Sequence, residues 1–246
     1  MKAPPAARAG AVAPVPNHPV PPVVEDKADR LRQVSEQVGG CRRCALSETR
    51  TNPVAGSGDP DSVLMLVGEA PGYHEDRQGL PFVGRAGDLL EKLLERIGYT
   101  RDDVFIANVL KCRPPENRDP QPEEIELCRP FLRQQIEIIQ PAIVCTMGNF
   151  ATRLLTGKSD GISSVHGRPL PFPDSDDIRI FPVFHPAAAL YTWSNLALLE
   201  KDFDVMAGLI SAPDKHQPEV EASATKPEPQ VEATNGEAEP EQLGLF

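Results

Sequence analysis

Residues 63–87 constrain the fold of this chain more than any other segment. They open with an apolar run over residues 63–67, which stops at Gly68 and gives way to turn residues. Beyond the turn residues, leucines recur at helical spacing, at Leu89, Leu90, Leu93 and Leu94. This order predicts a buried strand, a glycine-rich loop and a helix. Polar side chains just after such a strand stand where open α/β sheets bind ligands.

Further apolar runs repeat this alternation along the chain. They predict strands over residues 104–110, 142–147 and 178–184, and helices over residues 122–139 and 194–210. A shorter helix should end at Gly39-Gly40, and the turn-rich residues 157–177 should hold one short strand. Strands that alternate with helices predict a mostly parallel sheet covered on both faces.

Composition marks off both ends of the chain. Residues 1–24 are rich in alanine, proline and valine and predict a disordered arm, and residues 212–241 predict an acidic disordered tether. The folded domain is therefore expected over residues 25–211. The chain has no run long enough to span a membrane and no apolar leader, so a cytoplasmic protein is expected.

The charge of the chain limits how it can bind nucleic acid. The net charge is -11, and residues 25–211 alone carry -7. A nucleic-acid surface would therefore have to be a local basic patch, since the global field is repulsive. The alternative is that these are ordinary solvated charges. The candidates are Arg42, Arg43, Arg77, Arg85, Lys111, Arg113, Arg118 and Arg168.

Four of the five cysteines form a pattern typical of metal ligands. Cys41 and Cys44 are spaced C-x-x-C in a predicted loop, Cys112 follows a predicted strand, and Cys128 lies in the next helix. Four thiolates suit tetrahedral zinc or a [4Fe–4S] cluster, and the spacing alone does not separate the two. The alternative is two unrelated pairs of buried thiols. Cys145, inside an apolar strand, is expected in the core.

Three polar residues stand at or near predicted strand ends, namely Glu69, Asn108 and His185. The ends of parallel strands meet at one edge of a sheet, so these residues are expected to share a pocket. The Asn108 amide offers a donor and an acceptor that suit the edge of a nucleobase, and Phe82 offers a stacking face. His185 is suited to donate to an oxygen that gains charge. Singly, each also fits an ordinary turn or core position.

The ordered motifs resemble those of family 4 uracil-DNA glycosylases. They are Gly-Glu-Ala-Pro-Gly at 68–72, Gly-Leu-Pro-Phe-Val-Gly-Arg-Ala-Gly at 79–87, Asn-Val-Leu-Lys-Cys-Arg-Pro-Pro at 108–115 and His-Pro-Ala-Ala at 185–188. The resemblance covers about residues 30–210. It implies a three-layer α/β/α sandwich around a central four-stranded parallel sheet, flanked by disordered N- and C-terminal tails. It also implies excision of uracil from DNA, the first step of base excision repair.

The resemblance assigns roles position by position. Phe82 would stack on the flipped uracil, Asn108 would bind its amide edge, and His185 would stabilise the departing oxygen. Catalysis would thus rest on His185 and Glu69, and the pocket would also be lined by Glu69 and by the backbone at Ala70 and Pro71.

Two features of the resemblance concern water and metal. Ala70 stands where the best-known uracil glycosylases carry a water-activating aspartate, which leaves Glu69, Glu75 and Asp76 as candidates for that role. The four cysteines would hold a structural [4Fe–4S] cluster, with zinc as the alternative, through Cys41, Cys44, Cys112 and Cys128.

Two other functions fit part of the pattern. One is a related DNA-binding protein that traps the abasic sugar covalently. Such proteins carry an extra basic loop with a histidine before the last cysteine, and the segment from Cys112 to Cys128 lacks histidine. The other is a zinc-dependent nucleic-acid module without catalysis, which has no use for Glu69, Asn108 or His185.

The extreme C-terminus places large apolar residues after the acidic tether. It resembles the peptide by which bacterial repair proteins bind the sliding clamp, with a rim contact from Gln242 and apolar contacts from Leu243, Leu245 and Phe246. The expected partners are thus uracil-containing DNA and the bacterial sliding clamp, and the chain is expected to be a monomer without membrane contacts.

Overall fold

The computed structural model describes residues 26–211. The predicted arm over residues 1–24, the tether over residues 212–241 and the clamp peptide over residues 242–246 lie outside the described residues.

The described residues form an α/β fold around a mixed sheet. The strands are β1 (Ser57–Gly58), β2 (Leu64–Gly68), β3 (Phe105–Asn108), β4 (Ile143–Met147), β5 (Leu170–Phe172) and β6 (Ser175–Val183). Their order is β1-β3-β2-β4-β6-β5. The four central strands are parallel, as predicted, and β1 and β5 add an antiparallel strand at each edge. The edge strand β5 is the short strand expected within residues 157–177, whereas β1 was not predicted, because it is only two residues long and shows no alternation.

Helices cover both faces of the sheet, so the predicted three layers are present. The helices are α1 (Lys27–Gly40), α2 (Leu46–Thr49), α3 (Tyr73–Gln78), α4 (Arg85–Arg96), α5 (Pro122–Ile139), α6 (Asn149–Thr156), α7 (Ile162–Val165), α8 (Pro186–Ala189) and α9 (Trp193–Ser211). Helices α5 and α6 pack on one face and α4 and α9 on the other, each through buried aliphatic side chains. Helix α1 packs on the outside of α5. None of the helices within residues 26–211 is both long and apolar enough to cross a membrane.

The long helices start and end where the sequence predicts. Helix α5 begins at Pro122 with acidic residues in its first turn and ends at Gln140, which has a left-handed backbone. The short helices α2, α3 and α8 were not predicted, because four to six residues show too little apolar periodicity. As a result, the predicted continuous loop after β2 is interrupted by α3.

Candidate functional site

The carboxyl ends of the parallel strands meet at an open cleft of about 470 Å³. Glu69 follows β2, Asn108 ends β3, and His185 follows β6, so the expected convergence at one sheet edge is observed. The cleft is lined by Glu69, Ala70, Gly72, Glu75, Phe82, Ala86, Asn108, Asn117, His185, Ala187 and Ala188. Pro71 is buried but does not line the cleft, so its predicted place there is not observed.

Phe82 is held in the cleft wall in a strained conformation. Its φ is 54°, a left-handed value that costs a bulky side chain energy, and strain of this kind persists where surrounding contacts enforce it. Arg101 supplies such contacts, because its guanidinium donates to the carbonyl oxygens of Phe82 (2.8 Å) and Pro81 (2.6 Å). The Phe82 ring stacks on His185, with 5.6 Å between ring centroids and 25° between planes. The two rings therefore form a fixed wall.

Asn108 presents an unpaired acceptor to the cleft. The residue is 2 % exposed, and its Oδ1 has no hydrogen-bond partner among the described residues. Gly68 lies opposite Asn108 in the β2–β3 register, and a Cβ there would collide with Asn108 Oδ1 and stand 2.8 Å from Phe82 Cζ. Glycine at position 68 thus leaves room for both side chains.

His185 is neutral at physiological pH. Burial lowers the pKa of His185 to about 4, against a smaller opposing effect from the Glu75 carboxylate. Its Nδ1 accepts a hydrogen bond from the Ala187 N–H (3.1 Å), so the ring proton is on Nε2. A neutral donor is therefore available at the end of β6.

Glu69 is the acidic side chain of the cleft with the most perturbed ionisation. Burial, with a smaller contribution from Asp119, raises the pKa of Glu69 to about 7. Within residues 26–211 its carboxylate makes no hydrogen bond, whereas the other two candidate acids are engaged. Asp76 accepts from the Thr51 N–H (2.8 Å), and Glu75 accepts from the Val83 and Gly84 N–H groups. Of the three, Glu69 is the free carboxylate.

The four patterned cysteines line a second, smaller pocket. Its apolar lining comes from Val38, Leu127 and Phe131. Cys112 Sγ accepts a hydrogen bond from Arg50 (3.0 Å), and Cys128 Sγ accepts one from the Lys111 N–H (3.3 Å). Arg50 also donates to three carbonyl groups around Cys41, those of Val38, Gly39 and Cys41 itself. The loops that carry the cysteines are therefore tied together by one guanidinium.

The spacing of these thiols bears on which metal group they suit. Among the described residues, no three His, Cys, Asp or Glu side chains stand together as ligands of one ion. Four ligands of a single zinc must lie about 3.8 Å apart, given Zn–S bonds of about 2.3 Å. In a [4Fe–4S] cluster the cysteines surround a shared core, and hydrogen bonds to sulfur tune it. Two of the four thiols accept hydrogen bonds of the kind that tune such a cluster.

Lys111 lies between the cysteine pocket and the cleft. Its Nζ donates to the Asn108 carbonyl (2.9 Å) and to Gln135 Oε1 (2.6 Å), and Gln135 in turn donates to Ala55 (2.7 Å). The side chain is 1 % exposed, and burial lowers the pKa of Lys111 to about 8, with the Cys128 thiol opposing the shift. Its prediction as part of a basic surface is therefore wrong, because its ammonium group is used inside the fold. Arg118 is also engaged, because its Nη2 forms an ion pair with Glu124 Oε1 at 2.6 Å.

Several cleft residues were not predicted from the sequence. The sequence offers no chemical signal for four small residues of the lining, Gly72, Ala86, Ala187 and Ala188. The fifth, Asn117, lies in a short helical turn and has a φ of 54°. Only the motif context of the neighbouring residues could have indicated them.

Comparison with known proteins agrees with this geometry. Residues 55–207 match the uracil DNA glycosylase superfamily. A type-4 uracil-DNA glycosylase from Sulfurisphaera tokodaii is 43 % identical over 194 residues, which cover 76 % of this chain and 88 % of that protein. One from Thermotoga maritima is 46 % identical over 170 residues, covering 69 % and 88 %. A type-5 uracil-DNA glycosylase from Pyrobaculum aerophilum is 31 % identical over 150 residues, covering 55 % and 66 %.

Proposed function

The chain belongs to the uracil DNA glycosylase superfamily and, within it, to the type-4 enzymes, and on that basis we propose that it excises uracil from DNA. The enzyme extrudes uracil from the base stack, at a cost of about a few kcal/mol, and hydrolyses its N-glycosidic bond. The product is an abasic site for base excision repair.

The unpaired Oδ1 of Asn108 carries this proposal. A buried acceptor without a partner costs about 1–3 kcal/mol, which a ligand that donates to it would recover. The N3–H of uracil is such a donor, and the Asn108 amide N–H can donate to the neighbouring uracil oxygen. Cytosine offers an acceptor at N3 and a donor at its exocyclic amine, so both contacts would be lost. The fixed wall of Phe82 and His185 supplies a stacking face.

His185 and Glu69 divide the chemistry. As the bond breaks, uracil gains negative charge and the sugar gains positive charge. The Nε2–H of neutral His185 donates to the uracil oxygen without reorganisation. We assign to Glu69, which is ionised above its pKa of about 7 and makes no hydrogen bond within residues 26–211, the roles of orienting the attacking water and facing the cationic sugar. Asp76 and Glu75 are engaged in holding loops and take no part.

The test is direct. A uracil-containing oligonucleotide is incubated with the protein and then treated with alkali, which cleaves the strand at abasic sites. Strand scission is expected with uracil and not with cytosine or thymine at the same position. Intact strands after incubation with cluster-loaded protein would contradict the proposal.

We also infer that Cys41, Cys44, Cys112 and Cys128 hold a [4Fe–4S] cluster rather than zinc. The support is that the four cysteines line one pocket and that two of the sulfurs accept hydrogen bonds. The bound cluster would supply a cross-link between the α1–α2 loop, the end of β3 and α5. A brown protein with broad absorption in the visible blue and about four irons per chain is expected. A colourless protein with one zinc per chain would contradict the inference.

The C-terminal peptide, residues 242–246, is proposed to bind the bacterial sliding clamp through a tether that raises its local concentration. Deleting these residues should abolish clamp binding and leave excision from short oligonucleotides unchanged. Equal clamp binding by the truncated chain would rule the role out. The monomeric state and the cytoplasmic location stay predictions.

A further inference from the structure

Two arginines at the cleft combine a position at its rim with an aromatic partner. Many guanidiniums are paired with carboxylates, as in Arg96–Asp204, Arg118–Glu124 and Arg133–Asp174. Within residues 26–211, Arg85 and Arg113 have no carboxylate partner. Each instead stands over a tyrosine ring, with 6.0 Å from Arg85 Cζ to the Tyr191 centroid and 5.3 Å from Arg113 Cζ to the Tyr73 centroid.

The first pair lies at the rim of the cleft on the β3 side. Tyr73 follows Gly72, which lines the cleft, and its residue is 52 % exposed. Arg113 follows the end of β3, and its Nε donates to Asn117 Oδ1 (2.7 Å), another residue of the lining. The pair is therefore joined to the cleft through both members.

The second pair lies at the rim on the β6 side. Arg85 is exposed and precedes Ala86, and Tyr191 follows Ala188 by three residues, with Ala86 and Ala188 both in the lining. Tyr191 is 81 % exposed. Arg113 and Tyr191 follow β3 and β6, which β2 and β4 separate in the sheet, whereas Tyr73 and Arg85 both belong to the segment after β2.

Such pairs are suited to exchange partners. An exposed cation–π contact contributes only about 0.5–1 kcal/mol, so it is easily replaced. A guanidinium gains more from a phosphate, through charge and paired N–H donors, and a tyrosine ring offers a stacking face to any base. The surrounding domain carries -7, so an attractive surface for DNA has to come from local cations without carboxylate partners.

We propose that the Arg113–Tyr73 and Arg85–Tyr191 pairs bind the nucleotides on the two sides of the flipped uracil, one pair for each side. The guanidiniums contact the flanking phosphates and the tyrosines stack on the flanking bases. The inference rests on the proposed uracil excision, since it places the strand by the position of the uracil cleft.

The experiment measures binding without excision. A single-stranded oligonucleotide with a tetrahydrofuran abasic analogue at its centre is titrated with protein at several salt concentrations. Arg85→Gln and Arg113→Gln should each reduce the slope of log affinity against log salt by about 0.7, the value for one phosphate contact on a single strand. Tyr73→Ala and Tyr191→Ala should weaken binding by about 5- to 100-fold, whereas Tyr73→Phe and Tyr191→Phe should keep the wild-type affinity.

Arg129→Gln is the matched control, because it removes a partly exposed arginine from α5, where Arg129 faces Glu126. Its salt slope should equal that of the wild type. If the wild type excises uracil but both rim arginine variants keep its salt slope, the rim proposal is overturned and the proposed excision stands. A wild type that fails to excise but whose rim variants show reduced slopes would overturn the function and support the rim surface.

Discussion

The cleft and the cysteine pocket both include residues from the end of β3 and the chain that follows it. They differ in whether their polar groups have hydrogen-bond partners. In the cleft, Asn108 Oδ1 is unpaired, Phe82 has a strained backbone, and Glu69 has a pKa of about 7. Around the cysteines, the Lys111 N–H, its ammonium group and the Arg50 guanidinium all have hydrogen-bond partners.

This difference separates binding from support. Unpaired and strained groups cost stability and are retained where a ligand or transition state can use them. Satisfied groups in an apolar surround stabilise the fold. Lys111 connects the two regions, because it faces the cysteine pocket and donates to the carbonyl of Asn108. Damage to the cysteine pocket should therefore appear as lost stability, and damage to the cleft as lost rate.

The largest effect is expected from the cysteines. Cys112→Ser or Cys128→Ser should destabilise the fold by about 4 kcal/mol, the scale for losing a metal site, and lower Tm by about 10 °C. The excision rate of the protein that remains folded should change much less. Thermal melts and iron content measure this, with Cys145→Ala as the control that keeps the colour. A colourless Cys112→Ser protein with the wild-type Tm would remove the distinction between the regions.

The cleft variants should show the reverse pattern. Asn108→Ala and His185→Ala should each lower the excision rate by about 10²–10³-fold, because each removes a preorganised contact to the uracil oxygen or amide edge. The Tm of Asn108→Ala should stay near that of the wild type, whereas His185→Ala should also lose about 0.5–2 kcal/mol of stability, because its Nδ1 caps α8. Single-turnover excision and thermal melts are the measurements. Turnover like the wild type in either variant would mean that the uracil binds elsewhere.

Lys111→Met should affect both regions. It leaves the Asn108 carbonyl and Gln135 Oε1 without their donor, which costs about 1–3 kcal/mol in stability. Excision should also fall, by about tenfold, because Asn108 loses its anchor. The double variant Lys111→Met/Gln135→Leu should regain part of the stability and none of the rate. A single variant that changes only Tm would show that the regions are uncoupled.

Gly68→Ala tests the space between Asn108 and Phe82. The added methyl group would collide with both side chains, and overpacking of this kind costs about 1–3 kcal/mol. The excision rate should fall clearly while Tm falls only slightly, because the side chains that must move are those of the cleft. Gly98→Ala is the control for the loss of a glycine, since a Cβ at Gly98 meets nothing within 4 Å. Because the φ of Gly98 is 80°, a left-handed value, Gly98→Ala should lower Tm slightly through backbone strain alone.

The smallest effect concerns pH. Glu69 is protonated below its pKa of about 7, so excision should rise about tenfold between roughly pH 6 and pH 8 and then level off. The same raised pKa favours the folded state at low pH, and this contribution is lost as pH rises through about 7. Activity and stability should therefore move in opposite directions. Glu69→Gln should show neither trend, and a pH profile that persists in this variant would point to another group.

Much of the fold could be predicted because hydrophobic periodicity is a local property. The strands at residues 64–68 and 143–147 and the helix at residues 122–139 each bury a continuous apolar run or stripe. Elements without such a pattern were missed, including α3 and the two-residue β1. Their existence depends on neighbours that lie far away in the sequence.

The candidate site was predicted in its principal residues and not in its details. Glu69, Phe82, Asn108 and His185 share the cleft, as strand-end placement and motif resemblance indicated. Pro71 lies outside the lining, because only the backbone path after β2 decides which of two adjacent residues faces the cleft.

The sequence by itself determined the succession of the long strands and helices along the chain, the spacing of the four cysteines and the polar residues at the strand ends, because each is written in a short stretch of chain. Only the tertiary structure decided which carboxylate is free. Glu69, Glu75 and Asp76 are equivalent in a sequence, but the Thr51, Val83 and Gly84 N–H groups engage two of them and leave the third. The ionisation and reactivity of an acid depend on its partners and burial, and these are set by chain segments that folding alone brings together.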